Sequence, residues 1–98
     1  MVRPDVDAIR ELAIDLDPEL ANAVARWEIE VGEDWLGGPA IHLTIVFKDS
    51  EIRRVWKSRG AYRERLRDEL LAMAPEHYPF IRFSAESEAL NPEQPVQA

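Results

Sequence analysis

The chain of 98 residues has no cysteine. It therefore has neither a disulfide framework nor a thiolate set for zinc, and nothing in its usage points to an oxidising compartment. No stretch comes near the roughly 18 apolar residues that a membrane helix needs. The opening Met1-Val2-Arg3-Pro4-Asp5 lacks the apolar core of a signal peptide. The expectation is a cytoplasmic protein that makes no membrane contact.

Histidine and glycine are scarce too, with two and four residues. The histidines are not paired at ligand spacing, and no serine stands in a nucleophile elbow, so zinc or nucleophilic chemistry has no candidate set. Gly37-Gly38 joins strand to strand and is followed by Pro39, which has no amide hydrogen to offer a phosphate. Glu28, Glu30, Glu33 and Asp34 form an acidic cluster, but their spacing matches no calcium loop, and the simple reading is a solvated face. His42 next to Glu28 and Glu30 reads as a solvent-facing cross-strand pair. The expectation is a non-enzymatic protein, with no catalytic, cofactor-binding or metal-binding residue assigned.

Positive charge is the last scarcity. The formal net charge is −7, which argues against indiscriminate nucleic-acid binding because phosphate contacts need clustered Lys and Arg. The distribution is uneven, however. Residues 53–67 hold seven basic residues and one acid, a local +6 that leaves −13 for the rest of the chain.

What is present is a globular composition, 46% hydrophobic and 32% charged, in a length that suits one small core. Val6, Ile9, Leu12, Ala13 and Leu16 recur at helical spacing over residues 5–16, with Asp5 placed to cap. Asp17-Pro18 can cap and open a helical turn over Pro18–Ala23. The period then changes to two. Trp27, Ile29 and Val31 alternate with Arg26, Glu28 and Glu30; Ile41, Leu43, Ile45 and Phe47 alternate with His42, Thr44, Val46 and Lys48. These runs, joined through residues 33–39, read as a hairpin with one apolar face. One register pairs Trp27 with Ile45, Ile29 with Leu43 and Val31 with Ile41, and a shift by two fits the pattern equally.

Asp49 or Ser50 is placed to start the next helix, whose apolar face runs through Ile52, Val55, Trp56, Tyr62, Leu66, Leu70 and Met73. Gly60 in its middle predicts either one helix with a weak point or two helices meeting at a kink. Pro75 ends it, Tyr78-Pro79 leads on, and Phe80 to Glu86 read as a third strand. The predicted class is α+β: a two-layer α-β-β-α-β domain over residues 1–90, with a three-stranded mixed sheet and helices packed on one face. Residues 91–98, rich in Pro and Gln, read as a disordered tail.

Two features suggest function. Trp35 and Leu36 are large apolar residues in a predicted turn; they either fold back on the domain or anchor a protein partner. In the basic helix, Arg53 and Lys57 are placed for phosphate contacts and Trp56 or Tyr62 for stacking on a base; alternatively the basic residues are solvated or neutralise the chain's own acids. Pairing of the two sheet edges would give a homodimer.

The order helix, hairpin, glycine-interrupted helix, strand resembles the type II KH arrangement of the bacterial ribosome-binding factor A family. Ser58-Arg59-Gly60 with Arg63, Leu66, Pro75-Glu76 and Phe80 carry the likeness, although the GxxG loop of ordinary KH domains is absent. That resemblance implies RNA contacts through Arg59, Arg63 and their neighbours. From Glu28 to Phe83 the acidic strand, Gly-Pro hairpin and Tyr-Pro-Phe-Ile-Arg-Phe strand also resemble short bacterial α/β proteins, some of which look like partners of toxin-like or helical proteins. This second resemblance implies an antitoxin-like module that binds a protein partner or itself.

Overall fold

A computed structural model describes residues 4–87. The expected tail at 91–98 lies outside the described residues. The elements are α1 (Val6–Leu16), α2 (Pro18–Ala21), β1 (Val24–Glu33), β2 (Pro39–Phe47), α3 (Ile52–Val55), a 3₁₀ turn (Trp56–Ser58), α4 (Arg59–Met73) and β3 (Tyr78–Ala85). The fold is α+β, with a three-stranded mixed sheet.

Both N-terminal caps form. The Asp5 carboxylate accepts from the Asp7 amide at 3.3 Å, and Asp17 Oδ1 accepts from the Leu20 amide at 3.1 Å with Pro18 in the first turn. Each satisfies an amide that no helical carbonyl can reach.

The strand order is β1-β2-β3, antiparallel between β1 and β2 and parallel between β2 and β3. Of the two registers compatible with the pattern, the chain adopts Trp27 with Ile45, Ile29 with Leu43 and Val31 with Ile41. A bulge interrupts strict alternation: Val24 pairs with Phe47 and Arg26 with Val46, which leaves Ala25 as the extra residue. It turns Val24 to the same face as Trp27, three positions on. Because β2 is central, its core-facing Ile41, Leu43, Ile45 and Phe47 are buried, whereas Trp27, Ile29 and Val31 on the edge strand β1 are only half-buried.

The helices cover one face. Ile9 and Ala13 of α1, Leu20 of α2 and Tyr62, Leu66 and Leu70 of α4 join the β2 residues and Phe83 of β3 in one apolar cluster. Phe47 stacks on Phe83 with centroids 5.7 Å apart, and Tyr62 tilts against Phe83 at 6.4 Å. The Tyr62 hydroxyl donates to the Ala13 carbonyl at 2.6 Å, tying α4 to α1 within the core. Burial raises the phenol pKa well above its usual value, and the Asp17 carboxylate adds to the effect.

Three local expectations need correction. Asp49 and Ser50 do not cap α3: Glu51 stands at the cap without a side-chain bond. The Asp49 carboxylate instead accepts from the Ser87 amide at 2.9 Å, while the Asp49 amide donates to Glu86 Oε1 at 3.1 Å. That exchange fastens the end of β2 to the end of β3. The helix break falls at Trp56–Ser58 and not at Gly60, which is the second residue of α4. At the break, the Arg59 guanidinium lies 4.1 Å from the Trp56 ring centroid and donates to the Trp56 carbonyl at 2.8 Å. Finally, β3 begins at Tyr78 rather than Phe80, and Pro79 is accommodated because the strand lies at the sheet's edge.

Candidate functional site

The connection between β1 and β2 is built around one carboxylate. Asp34 Oδ1 accepts from the amides of Leu36 and Gly38, each at 2.9 Å. The Asp34 amide donates to the Gly38 carbonyl at 2.8 Å, and the Gly37 amide donates to the Asp34 carbonyl at 3.1 Å. Gly37 supplies the left-handed conformation that closes the loop, with φ +83°. Held on this frame, Trp35 is 91% exposed and Leu36 85%. They do not fold back on the domain.

Beside the tip, the sheet face opposite the helices carries an aromatic row. The rings of His42 and Phe80 stack with centroids 5.2 Å apart and planes 8° apart, and Phe80 meets Tyr78 at 4.8 Å. His42 lies across from Glu30, as the register requires, yet its Nε2 proton is donated to the Glu33 carbonyl at 2.9 Å rather than to the glutamate. Trp35, His42 and Phe80 share a shallow depression of about 440 Å³ with Asp34, Ile81 and Arg82. Tip and row therefore form one continuous surface.

The basic segment does not form one phosphate-binding face. Arg59 is committed to Trp56, and the Arg63 guanidinium sits 5.0 Å from the Phe83 ring centroid. Arg54 pairs with Glu51 at 2.7 Å, and Arg65 donates to the Leu16 carbonyl at 3.2 Å. Arg53 and Lys57 are exposed on α3 and the 3₁₀ turn. Part of the segment joins β3 instead. A second depression of about 370 Å³ is lined by Arg63 and Arg67 of α4 and by residues 78–82 of β3, which include Arg82. Arg67 belongs to the basic segment 53–67 read from the sequence, whereas Arg82 lies outside it. The i, i+4 spacing of Arg63 and Arg67 is a visible signal, whereas Arg82 reaches them only through the parallel placement of β3.

On the far side of the sheet face, Glu28, Ile29, Glu30, His42 and Thr44 line an acidic depression of about 330 Å³. Arg26 partly neutralises it through an ion pair with Glu28 at 2.6 Å. Among the described residues no helix is long and apolar enough to cross a membrane. No protein family, curated protein or solved structure was found to match the chain.

Proposed function

We propose that this chain is a non-enzymatic protein-interaction module, antitoxin-like in its dependence on a protein partner, and that Trp35 and Leu36 are its anchor. The observation that carries the reading is the 91% exposure of Trp35 on a turn held by its own hydrogen bonds. A large aromatic side chain buries roughly 150–250 Å² when covered, worth on the order of 4–6 kcal/mol at about 25 cal/mol per Å². Holding such a group in water on a rigid frame reduces the ordering cost when a partner covers it. Central aromatic anchors of this kind dominate interface energies.

The test is affinity purification of tagged protein from its native host after nuclease treatment, with Trp35→Ala alongside. Retention of one protein by wild type and its loss from a folded Trp35→Ala variant is the expected outcome. Equal retention by both refutes the assignment of the anchor.

A KH-like RNA-binding reading through Arg53, Lys57, Arg59 and Arg63 has less support. Two of its four cations, Arg59 and Arg63, already lie against the chain's own aromatic rings. Salt-sensitive RNA retention that falls on Arg59→Glu and Arg63→Glu is what that reading requires.

A further inference from the structure

Resting on the reading above, we infer that the partner is an acidic, extended polypeptide segment that adds as a strand to the open edge of β3, in the groove between β3 and α4. The first observation is topological. β3 has a sheet neighbour on one side only, so its other edge offers unpaired backbone groups. Residues 78–82, five in succession, all line the groove. Successive residues of a strand point to opposite faces, so a depression that touches every one of them follows the backbone edge and not a face.

Charge names the occupant. Arg63 and Arg67 flank the groove from α4 and Arg82 flanks it from β3, and no acidic side chain lines it among the described residues. Arg67 and Arg82 are exposed and make no ion pair among the described residues. In a chain of net charge −7, the exposed guanidinium groups of Arg67 and Arg82 at one strand edge select an anionic strand. It also rejects a second copy. Pairing β3 with β3 across a two-fold axis would bring the arginines together.

Continuity with the tip supports the same occupant. Residues 80–82 line both the groove and the depression beside Trp35. A segment anchored on Trp35 can therefore run on along roughly 17 Å of β3, five residues at about 3.4 Å each. Tyr78 and Phe80 are exposed at 55% and 37% and supply apolar contact for alternate side chains of the added strand. A single-stranded nucleic acid would also value arginines and rings, but it would have no use for the strand edge.

The test uses the full chain and a fluorescein-labelled decapeptide of alternating Glu and Thr, followed by anisotropy at low salt. A Lys-Thr peptide and a ten-nucleotide oligouridine serve as comparisons. We expect the Glu-Thr peptide to bind, the Lys-Thr peptide not to, and the double variant Arg67→Glu/Arg82→Glu to raise Kd at least tenfold. Both sites are exposed, and circular dichroism verifies that the fold is retained. Two further peptides, N-methylated at the Glu amides or at the Thr amides, separate strand addition from charge attraction. One of them should lose binding and the other keep it, because only alternate amides of an added strand face the edge.

Equal behaviour of the two methylated peptides overturns strand addition. Binding unaffected by the double charge reversal, or binding of oligouridine without the peptide, overturns the occupant. The peptide assay needs no native partner. A groove that fails it while Trp35→Ala still abolishes partner capture sinks this inference alone, and the converse result sinks only the anchor.

Discussion

Replacing Tyr62 with phenylalanine removes one buried oxygen and little volume, so its effect isolates the hydroxyl. That hydroxyl is buried and donates to the Ala13 carbonyl at 2.6 Å. Loss of the bond costs about 1–2 kcal/mol near neutral pH, combining the net value of a hydrogen bond with the cost of a less satisfied carbonyl. The phenol pKa is raised in the folded state from the ordinary 10.0, so the folded chain holds the proton more tightly than the unfolded chain. The stability this contributes is fully present below the unfolded value and is lost as pH climbs toward the folded one. Once the unfolded phenol ionises, the wild type should lose about 1.4 kcal/mol per pH unit relative to Tyr62→Phe. The advantage of the wild type therefore vanishes near about pH 11 and reverses above it. Other titrating groups are common to both proteins and cancel in the difference. Urea denaturation followed by circular dichroism at several pH values measures it, and a midpoint difference independent of pH from 8 to 11 would refute the buried, donating phenol.

Other substitutions probe the turn and the helix. Gly60→Ala should stabilise by about 0.5–1 kcal/mol, since an added methyl meets nothing within 4 Å at the start of α4; a lowered thermal midpoint would show that the glycine is required there. Gly37→Ala should destabilise by about 1–2 kcal/mol, because φ is +83° although the surrounding space is open; an unchanged midpoint would contradict the strain. Asp34→Ala removes the acceptor of two amides and should cost about 1–2 kcal/mol. It should also lower the NMR order parameter of the Trp35 backbone amide, and a value equal to wild type would show that the carboxylate does not set the tip.

Local chemistry was the legible part of the sequence. Asp5 and Asp17 each stand at the cap position their spacing implies, and the hairpin takes a register that joins two apolar sets. What escaped the sequence depends on particular side-chain contacts or on strand order. The break before α4 coincides with the Arg59 guanidinium over the Trp56 ring, a contact that helix propensity does not encode, and it does not fall at Gly60. Asp49 looks like a cap by position but is taken by Ser87 from the end of β3. Half-burial of Trp27, Ile29 and Val31 follows from β2 occupying the centre of the sheet, which alternation alone does not specify. The candidate site divides in the same way. Trp35 and Leu36 are conspicuous as apolar residues in a turn, while the arginine-lined groove joins Arg67 to Arg82 across a crossover.

The proposed role of Trp35 is to anchor a protein partner. Its most direct test is titration of the captured and purified partner into wild type and into Trp35→Ala by calorimetry. A central aromatic anchor predicts a rise in Kd of about 30-fold or more, corresponding to at least roughly 2 kcal/mol. A Kd within about threefold of wild type, in a variant whose fold is intact, would contradict it.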